Sequence, residues 1–196
     1  MKRILIRGLT LLLTLALMAS MASCARMGDG QQTTSQETTD GGISDTSALD
    51  STESSADPST PNFTVLDGDG NEVRLSDFFG KPIVLNFWTS WCPPCRSEMH
   101  HFEDAYGKYA GKVEFLMVNL TDGKRETVKI ARDFVDSMGY TFPVYFDTEY
   151  EATYAYGIRS IPATYFIAAD GSVEAHVTGM ISASQLEEGI RRIYSE

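Results

Sequence analysis

Residues 82–95 read Pro82-Ile83-Val84-Leu85-Asn86-Phe87-Trp88-Thr89-Ser90-Trp91-Cys92-Pro93-Pro94-Cys95. The first half is a nearly continuous apolar run, the pattern of a strand buried on both faces of a sheet. The second half places two cysteines two residues apart at the start of a helix. That helix runs from Cys92 to about Tyr109, with Phe102, Ala105, Tyr106 and Tyr109 recurring on one face. The first thiol therefore sits at a helix N-terminus, where unpaired N–H groups and the macrodipole favour a thiolate. A lowered pKa makes Cys92 the nucleophile near neutral pH. Cys95, one turn inside, can close a small disulfide ring with Cys92 and so can release a partner held in a mixed disulfide. Pro93 and Pro94 suit a first turn, where no N–H is needed, and they stiffen the ring.

Outward from this stretch the sequence alternates strands with helices. Asn62–Leu66 and Glu72–Leu75 read as two strands joined by the turn Asp67-Gly68-Asp69-Gly70-Asn71. The same turn faintly resembles a calcium loop, but Glu72 stands where such a loop needs glycine. Ser76 looks like the cap of a single helical turn ending at Gly80. After the cysteine helix come a strand at Val113–Leu120 and a helix at about Arg125–Met138 with Val128, Ala131, Val135 and Met138 inward, stopped by Gly139. Val144–Phe146 and Glu149–Tyr156 read as a short strand and a short helix. Ala163–Ala168 and Val173–Thr178 form a hairpin, and Ser182 or Ser184 caps a last helix carrying Leu186, Ile190 and Ile193. This order predicts an α/β domain over 61–196 with a central mixed sheet and helices on both faces.

The N-terminus has a different character. Lys2, Arg3 and Arg7 precede an apolar run from Leu9 to Met18, and Met21-Ala22-Ser23-Cys24 follows. That order reads as a secretory signal over 1–23, and the run is too short to span a bilayer as a helix. The Ala-Ser-Cys ending resembles a bacterial lipobox, with Met21 where Leu is usual. The resemblance implies a lipid on Cys24; ordinary cleavage with an incidental cysteine is the other reading. Residues 24–60 are rich in Ser, Thr, Asp, Gly and Gln, with Ile43 and Leu49 as the sizeable apolar groups from Gly28 onward. Such a segment cannot bury enough surface to offset its ordering entropy and is expected to be a disordered tether.

Composition limits the function classes. The chain of 196 residues is 42% hydrophobic with a formal charge of -11. Nucleic acid binders need clustered Lys and Arg, so no nucleic acid partner is expected. Loss of Lys2, Arg3 and Arg7 with the leader takes the charge to about -14; an acidic surface disfavours adsorption to an anionic membrane, so any membrane attachment needs another device. Three cysteines, one at the leader's end and two in a CxxC, do not make a disulfide scaffold.

The run Asn86 to Glu98, Asn-Phe-Trp-Thr-Ser-Trp-Cys-Pro-Pro-Cys-Arg-Ser-Glu, resembles the TlpA/ResA-like branch of the thioredoxin superfamily. These are tethered, extracytoplasmic thiol-disulfide oxidoreductases. The likeness extends from about 61 to 196 and includes the N-terminal hairpin and a strand-helix insertion near 113–138. It implies a thioredoxin-like fold, a monomer held at the bacterial cell membrane, and a role in redox homeostasis and antioxidant defence. It further implies disulfide-containing exported proteins as substrates, among them apocytochromes and methionine sulfoxide reductases, and a CcdA- or DsbD-type membrane thiol carrier as electron source. Gly157-Ile158-Arg159-Ser160-Ile161-Pro162-Ala163-Thr164 resembles the family's second landmark, in which the proline is cis and lies against the dithiol. Pro162 would then be cis, and the Ile161 backbone would pair with a bound substrate strand; a trans strand-start proline is the alternative. Trp91, Pro93, Pro94, Ile161 and Pro162 make up the expected docking face. Glu98 matches a glutamate that this branch keeps near the second cysteine, and Asn86 replaces the buried aspartate of cytoplasmic thioredoxins. Glu98 is read either as the proton carrier for Cys95 or as a solvated acid of the helix's first turns. His100 stands where relatives usually have proline.

Three rivals remain. Cys92, Cys95, His100 and His101 could be drafted as metal ligands, but structural zinc needs four placed ligands and no second CxxC is present. Haem attachment needs His after the second cysteine, where Arg96 stands. Hence no metal and no cofactor beyond a Cys92–Cys95 disulfide is expected. Thr89-Ser90-Trp91-Cys92 also matches the end of the peroxiredoxin Pro-x-x-x-Thr-x-x-Cys motif, with Leu85 in place of the proline. A non-catalytic binding module on the same fold is the third.

Overall fold

The computed structural model describes residues 60–195; the expected leader, Cys24 and nearly all of the tether lie outside the described residues. In chain order the elements are β1 (Thr64–Leu66), β2 (Glu72–Arg74), β3 (Ile83–Trp88), α1 (Pro93–Tyr109), β4 (Glu114–Leu120), α2 (Val128–Met138), β5 (Val144–Asp147), α3 (Glu151–Ala155), β6 (Ala163–Ile167), β7 (Val173–Thr178) and α4 (Ala183–Ile193). The strands form one sheet in the order β2-β1-β5-β4-β3-β6-β7. β3 runs parallel to β4, and β4 to β5, while β1, β2, β6 and β7 join antiparallel. This is the mixed sheet expected from the alternation of elements, with the N-terminal hairpin and the β4–α2 insertion in place.

Strand β3 explains the apolar run. All six of its residues are buried. Ile83, Leu85 and Phe87 join Leu75, Leu116, Val118 and Ala152 on one face, whereas Val84 and Trp88 join Phe102, Met117, Ala131, Phe166 and Ile190 on the other. The period of two is therefore kept inside a continuous apolar segment. Helices α1, α2 and α4 cover the second face, and α3 with a 3-10 turn at Leu75–Phe78 covers the first. Asn86, the one polar residue of the strand, faces the α1 side by this alternation.

Some expected details differ, each for a local reason. The 3-10 turn starts from Arg74, not Ser76, because the Asp77 carboxylate accepts the Arg74 N–H at 2.8 Å. Helix α2 starts at Val128 behind the N-cap Thr127, since residues 122–126 are committed to a loop under the cysteine turn. Met138 is 51% exposed rather than inward: it ends α2 just before the left-handed Gly139 and lies beyond the sheet, beside Pro93 and Arg96. Ser182 is the cap of α4, its hydroxyl accepting the Gln185 N–H at 3.3 Å.

Gly189 in α4 lies flat against Phe166. A Cβ there would sit 2.1 Å from the ring's Cζ. Gly to Ala in a helix ordinarily gains up to about 1 kcal/mol, but here the added methyl must displace a buried aromatic ring. Gly189→Ala should destabilise the domain by about 1–3 kcal/mol in urea unfolding. Unchanged or increased stability would mean that α4 can shift off the sheet at little cost.

Candidate active site

Helix α1 begins where β3 leaves the sheet, and Cys92 is its N-cap. The Cys92 Sγ accepts the Cys95 N–H at 3.4 Å and is bonded to the Cys95 Sγ. A sulfur that caps the helix is held against its free N–H groups, which favours negative charge on it once the disulfide opens. The two cysteines are unequal: Cys92 is 3% exposed and Cys95 fully buried. Across the site the Ile161–Pro162 bond is cis, and the Ile161 carbonyl oxygen lies 3.9 Å from the Cys92 Sγ. The Ile161 carbonyl and the cis Pro162 after it thus come up to the outer sulfur, while Trp91 precedes Cys92 and Pro93 and Pro94 form the first turn of α1 behind it. Trp91 is 40% exposed, while Trp88 is buried in the core.

Glu98 is not a solvated helix acid. It is 1% exposed, on the face of α1 that carries Cys95 one turn earlier. Its Oε1 accepts the Asn86 amide at 3.0 Å and its Oε2 accepts the Ile181 N–H at 2.7 Å. Asn86 also donates to the Thr164 hydroxyl at 3.1 Å. Two residues before Ile181, the Gly179 N–H donates to the Pro162 carbonyl at 2.8 Å. The loop after β7 therefore ties the cis-proline to the carboxylate behind the dithiol. Burial raises the Glu98 pKa from 4.5 to about 7, against the lowering effect of the Ile181 and Asn86 hydrogen bonds.

A second buried carboxylate holds the cysteine turn from the other side. Glu126 accepts the Ser90 N–H and the Ser90 hydroxyl at 2.7 Å each and the Asn119 amide at 2.7 Å. Its neighbour Arg125 lies over the Trp91 ring, 3.7 Å from the centroid. Asp122 shapes this loop by accepting the N–H groups of Lys124 at 2.7 Å and Glu126 at 2.8 Å. The sequence reading missed both residues. Glu126 stands in line with a helix and looks like an ordinary first-turn acid; only the capping threonine after it hints that the helix starts later.

His100 and His101 stand side by side with ring centroids 3.9 Å apart. Among the described residues no group of three or more His, Cys, Asp or Glu side chains is placed to hold a metal ion.

Because the folded pKa of Glu98 is raised, the folded protein holds a proton between pH 4.5 and about 7 that the unfolded chain releases. Stability should therefore fall as pH rises through this window, by roughly 3 kcal/mol at most. Glu98→Gln should flatten that slope when the oxidised protein is unfolded in urea across the range; an unchanged slope would place the titration elsewhere. Glu126→Ala should cost roughly 2 kcal/mol or more by leaving Ser90 and Asn119 unpaired, and should weaken exchange at Cys92 in the population that stays folded.

Residues 57–176 match the model of the AhpC/TSA family. The thiol-disulfide oxidoreductase ResA of Geobacillus thermodenitrificans is 35% identical over 134 residues, 68% of this chain and 75% of its own length. Among solved structures, StoA from Bacillus subtilis superposes with a TM-score of 0.58 at 30% identity, covering 67% of this chain and 98% of that one. The exposed lipoprotein thioredoxin Etrx1 of Streptococcus pneumoniae strain TIGR4 gives 0.57 at 28%, covering 66% and 98%. The family match spans β1 to β6, with Cys92, Cys95 and Pro162 inside it, and the chain belongs to the AhpC/TSA family, among its ResA-like thiol-disulfide oxidoreductases.

Proposed function

We propose that the chain is a membrane-tethered, extracytoplasmic thiol-disulfide oxidoreductase that reduces disulfides in exported proteins through Cys92 and Cys95. The observation that carries this reading is the outer sulfur of a helix-capping CxxC held 3.9 Å from the carbonyl before the cis-proline. A substrate strand laid along Ile161 would bring its cystine to Cys92. Tethering is supported by the leader and Cys24 in the sequence, and by the structural relative Etrx1, an exposed lipoprotein. No helix among the described residues is long and apolar enough to cross a membrane. Apocytochromes and methionine sulfoxide reductases are the substrate proteins we favour, with a membrane thiol carrier as donor.

The steps conserve electrons. The Cys92 thiolate attacks one sulfur of the partner disulfide, and the other partner sulfur leaves as a thiolate. Cys95 gives its proton to Glu98, whose pKa near 7 lets it take or return a proton at neutral pH. The Cys95 thiolate then attacks the Cys92 sulfur, and the second partner thiolate departs. The partner has gained two electrons and the enzyme holds the Cys92–Cys95 disulfide. The reverse exchange with a reduced carrier dithiol restores both thiols. No cofactor beyond the dithiol enters these steps. Peroxide reduction is less well supported: Leu85 fills the motif's proline position inside β3, and Cys92 is already partnered by a resolving cysteine.

Titration of the Cys92–Cys95 pair against a thiol redox buffer tests the direction. A potential near about -270 mV fits a reductant, whereas one near about -120 mV would make the protein a disulfide donor. Cys92→Ser should abolish exchange, and Cys95→Ser should accumulate the mixed disulfide with substrate, seen on non-reducing gels. Full activity of Cys92→Ser, or no trapped adduct with Cys95→Ser, would overturn the assigned roles.

A further inference from the structure

The domain carries an excess of Asp and Glu over Lys and Arg, yet cations dominate the surface around its dithiol. Arg96 directly follows Cys95 and lines a groove with Pro93, Phe134 and Met138 on one side of the cysteine turn. Arg159 lines a second groove, of ≈ 250 Å³, with Trp91, Leu120, Asp122, Ile158 and Ile161 on the other side. Arg125 lies over the exposed Trp91, which itself lines the second groove. Elsewhere the cations are commonly paired, as in Lys81–Glu114, Lys108–Glu187, Lys129–Asp133 and the two contacts of Glu188 with Arg191 and Arg192. Arg96, Arg125 and Arg159 form no ion pair among the described residues. Of the acids close by, Glu98 and Glu126 are buried, and Asp122 is the one acid in the wall of the Arg159 groove. Asp122 is spent on the backbone of its own loop, Glu126 on Ser90 and Asn119, and Glu98 on Asn86 and Ile181.

We propose that this rim is a docking surface for an acidic segment of the partner protein, one whose reducible cystine is flanked by Asp and Glu. The proposal rests on the exchange reading above and names the substrate class for the same site. Three guanidinium groups spread around an apolar floor suit an extended chain that presents carboxylates on either side of its disulfide. Each guanidinium can take a carboxylate through paired N–H donors. Charge complementarity of this kind acts chiefly on the encounter rate and is weakened by salt. The local rim and the whole protein pull in opposite directions. An overall acidic protein acting through its net charge would favour basic partners, so the sign of the preference identifies which field governs docking.

The test uses the purified, pre-reduced full-length chain mixed with short peptides, each closed by one disulfide. The peptides differ only in flanks of Asp and Glu, of Ser and Gly, or of Lys and Arg, and bis(hydroxyethyl) disulfide serves as an uncharged small substrate. The second-order rate of protein oxidation is followed by tryptophan fluorescence. We expect the acidic peptide to react about tenfold faster than the basic one at low salt, with the gap closing at roughly 0.5 M salt. Equal rates, or faster reaction of the basic peptide, overturn the docking inference while leaving thiol exchange intact. Failure to react with any of the disulfides, the uncharged one included, removes the exchange reading and this inference with it. In the Arg125→Glu/Arg159→Glu double variant the preference should reverse towards the basic peptide; a retained acidic preference would likewise overturn the proposal.

Discussion

Strand β3 has no freedom of position. It is hydrogen-bonded to β4 on one side and β6 on the other, and every residue in it is buried. The chain must therefore leave the sheet at a fixed point after Trp88, and helix α1 must start within the few residues that follow. Cys92 becomes the cap of that helix because of this placement. The same constraint puts Ala163 of β6 opposite Phe87, and so brings the residues just before it, Ile161 and Pro162, alongside the capping sulfur. Two parts of the site that are far apart in sequence meet because both are ends of strands flanking one buried edge.

Directly behind the dithiol, polar groups replace apolar packing on the α1 side of β3. Asn86, Glu98, Thr164 and the Ile181 N–H form a network inside an otherwise hydrophobic layer. An unpaired polar group in this layer would be costly, and the network supplies partners to both oxygens of Glu98. Burial nevertheless holds the carboxyl's pKa near 7, where its charge is easily gained or lost. The loop from Gly179 to Ile181 links this network to the Pro162 carbonyl, so the proton-holding group and the substrate-facing backbone share one support.

Much of this was readable from residues alone. The β3 run, the CxxC helix, the Gly139 stop and the two hairpins have strong local signals, because period, caps and turn residues all act within a few positions. The cis state of Pro162 and the place of Glu98 were implied by family resemblance; the alternative of a solvated acid failed because Asn86 and Ile181, 12 and 83 residues away, close over it. Glu126 and Arg125 were illegible for the same reason. Their roles come from the meeting of two loops 36 residues apart, and nothing in Lys124-Arg125-Glu126-Thr127 signals which surface they will meet. Met138 shows the converse: its helical phase is correct, yet the helix outruns the core it was expected to join.

The short loop at 122–126 carries the ligand of Ser90 and the cover of Trp91 on adjacent residues. Its length is therefore more tightly constrained than that of the turn at 67–71, which reverses the chain and offers the Gly68 carbonyl to Arg132. Insertions that a hairpin turn could absorb would here move Glu126 and Arg125 out of step with the cysteine turn at once. The loop and the dithiol therefore behave as one mechanical unit, and the joint between them is the Glu126 carboxylate on Ser90.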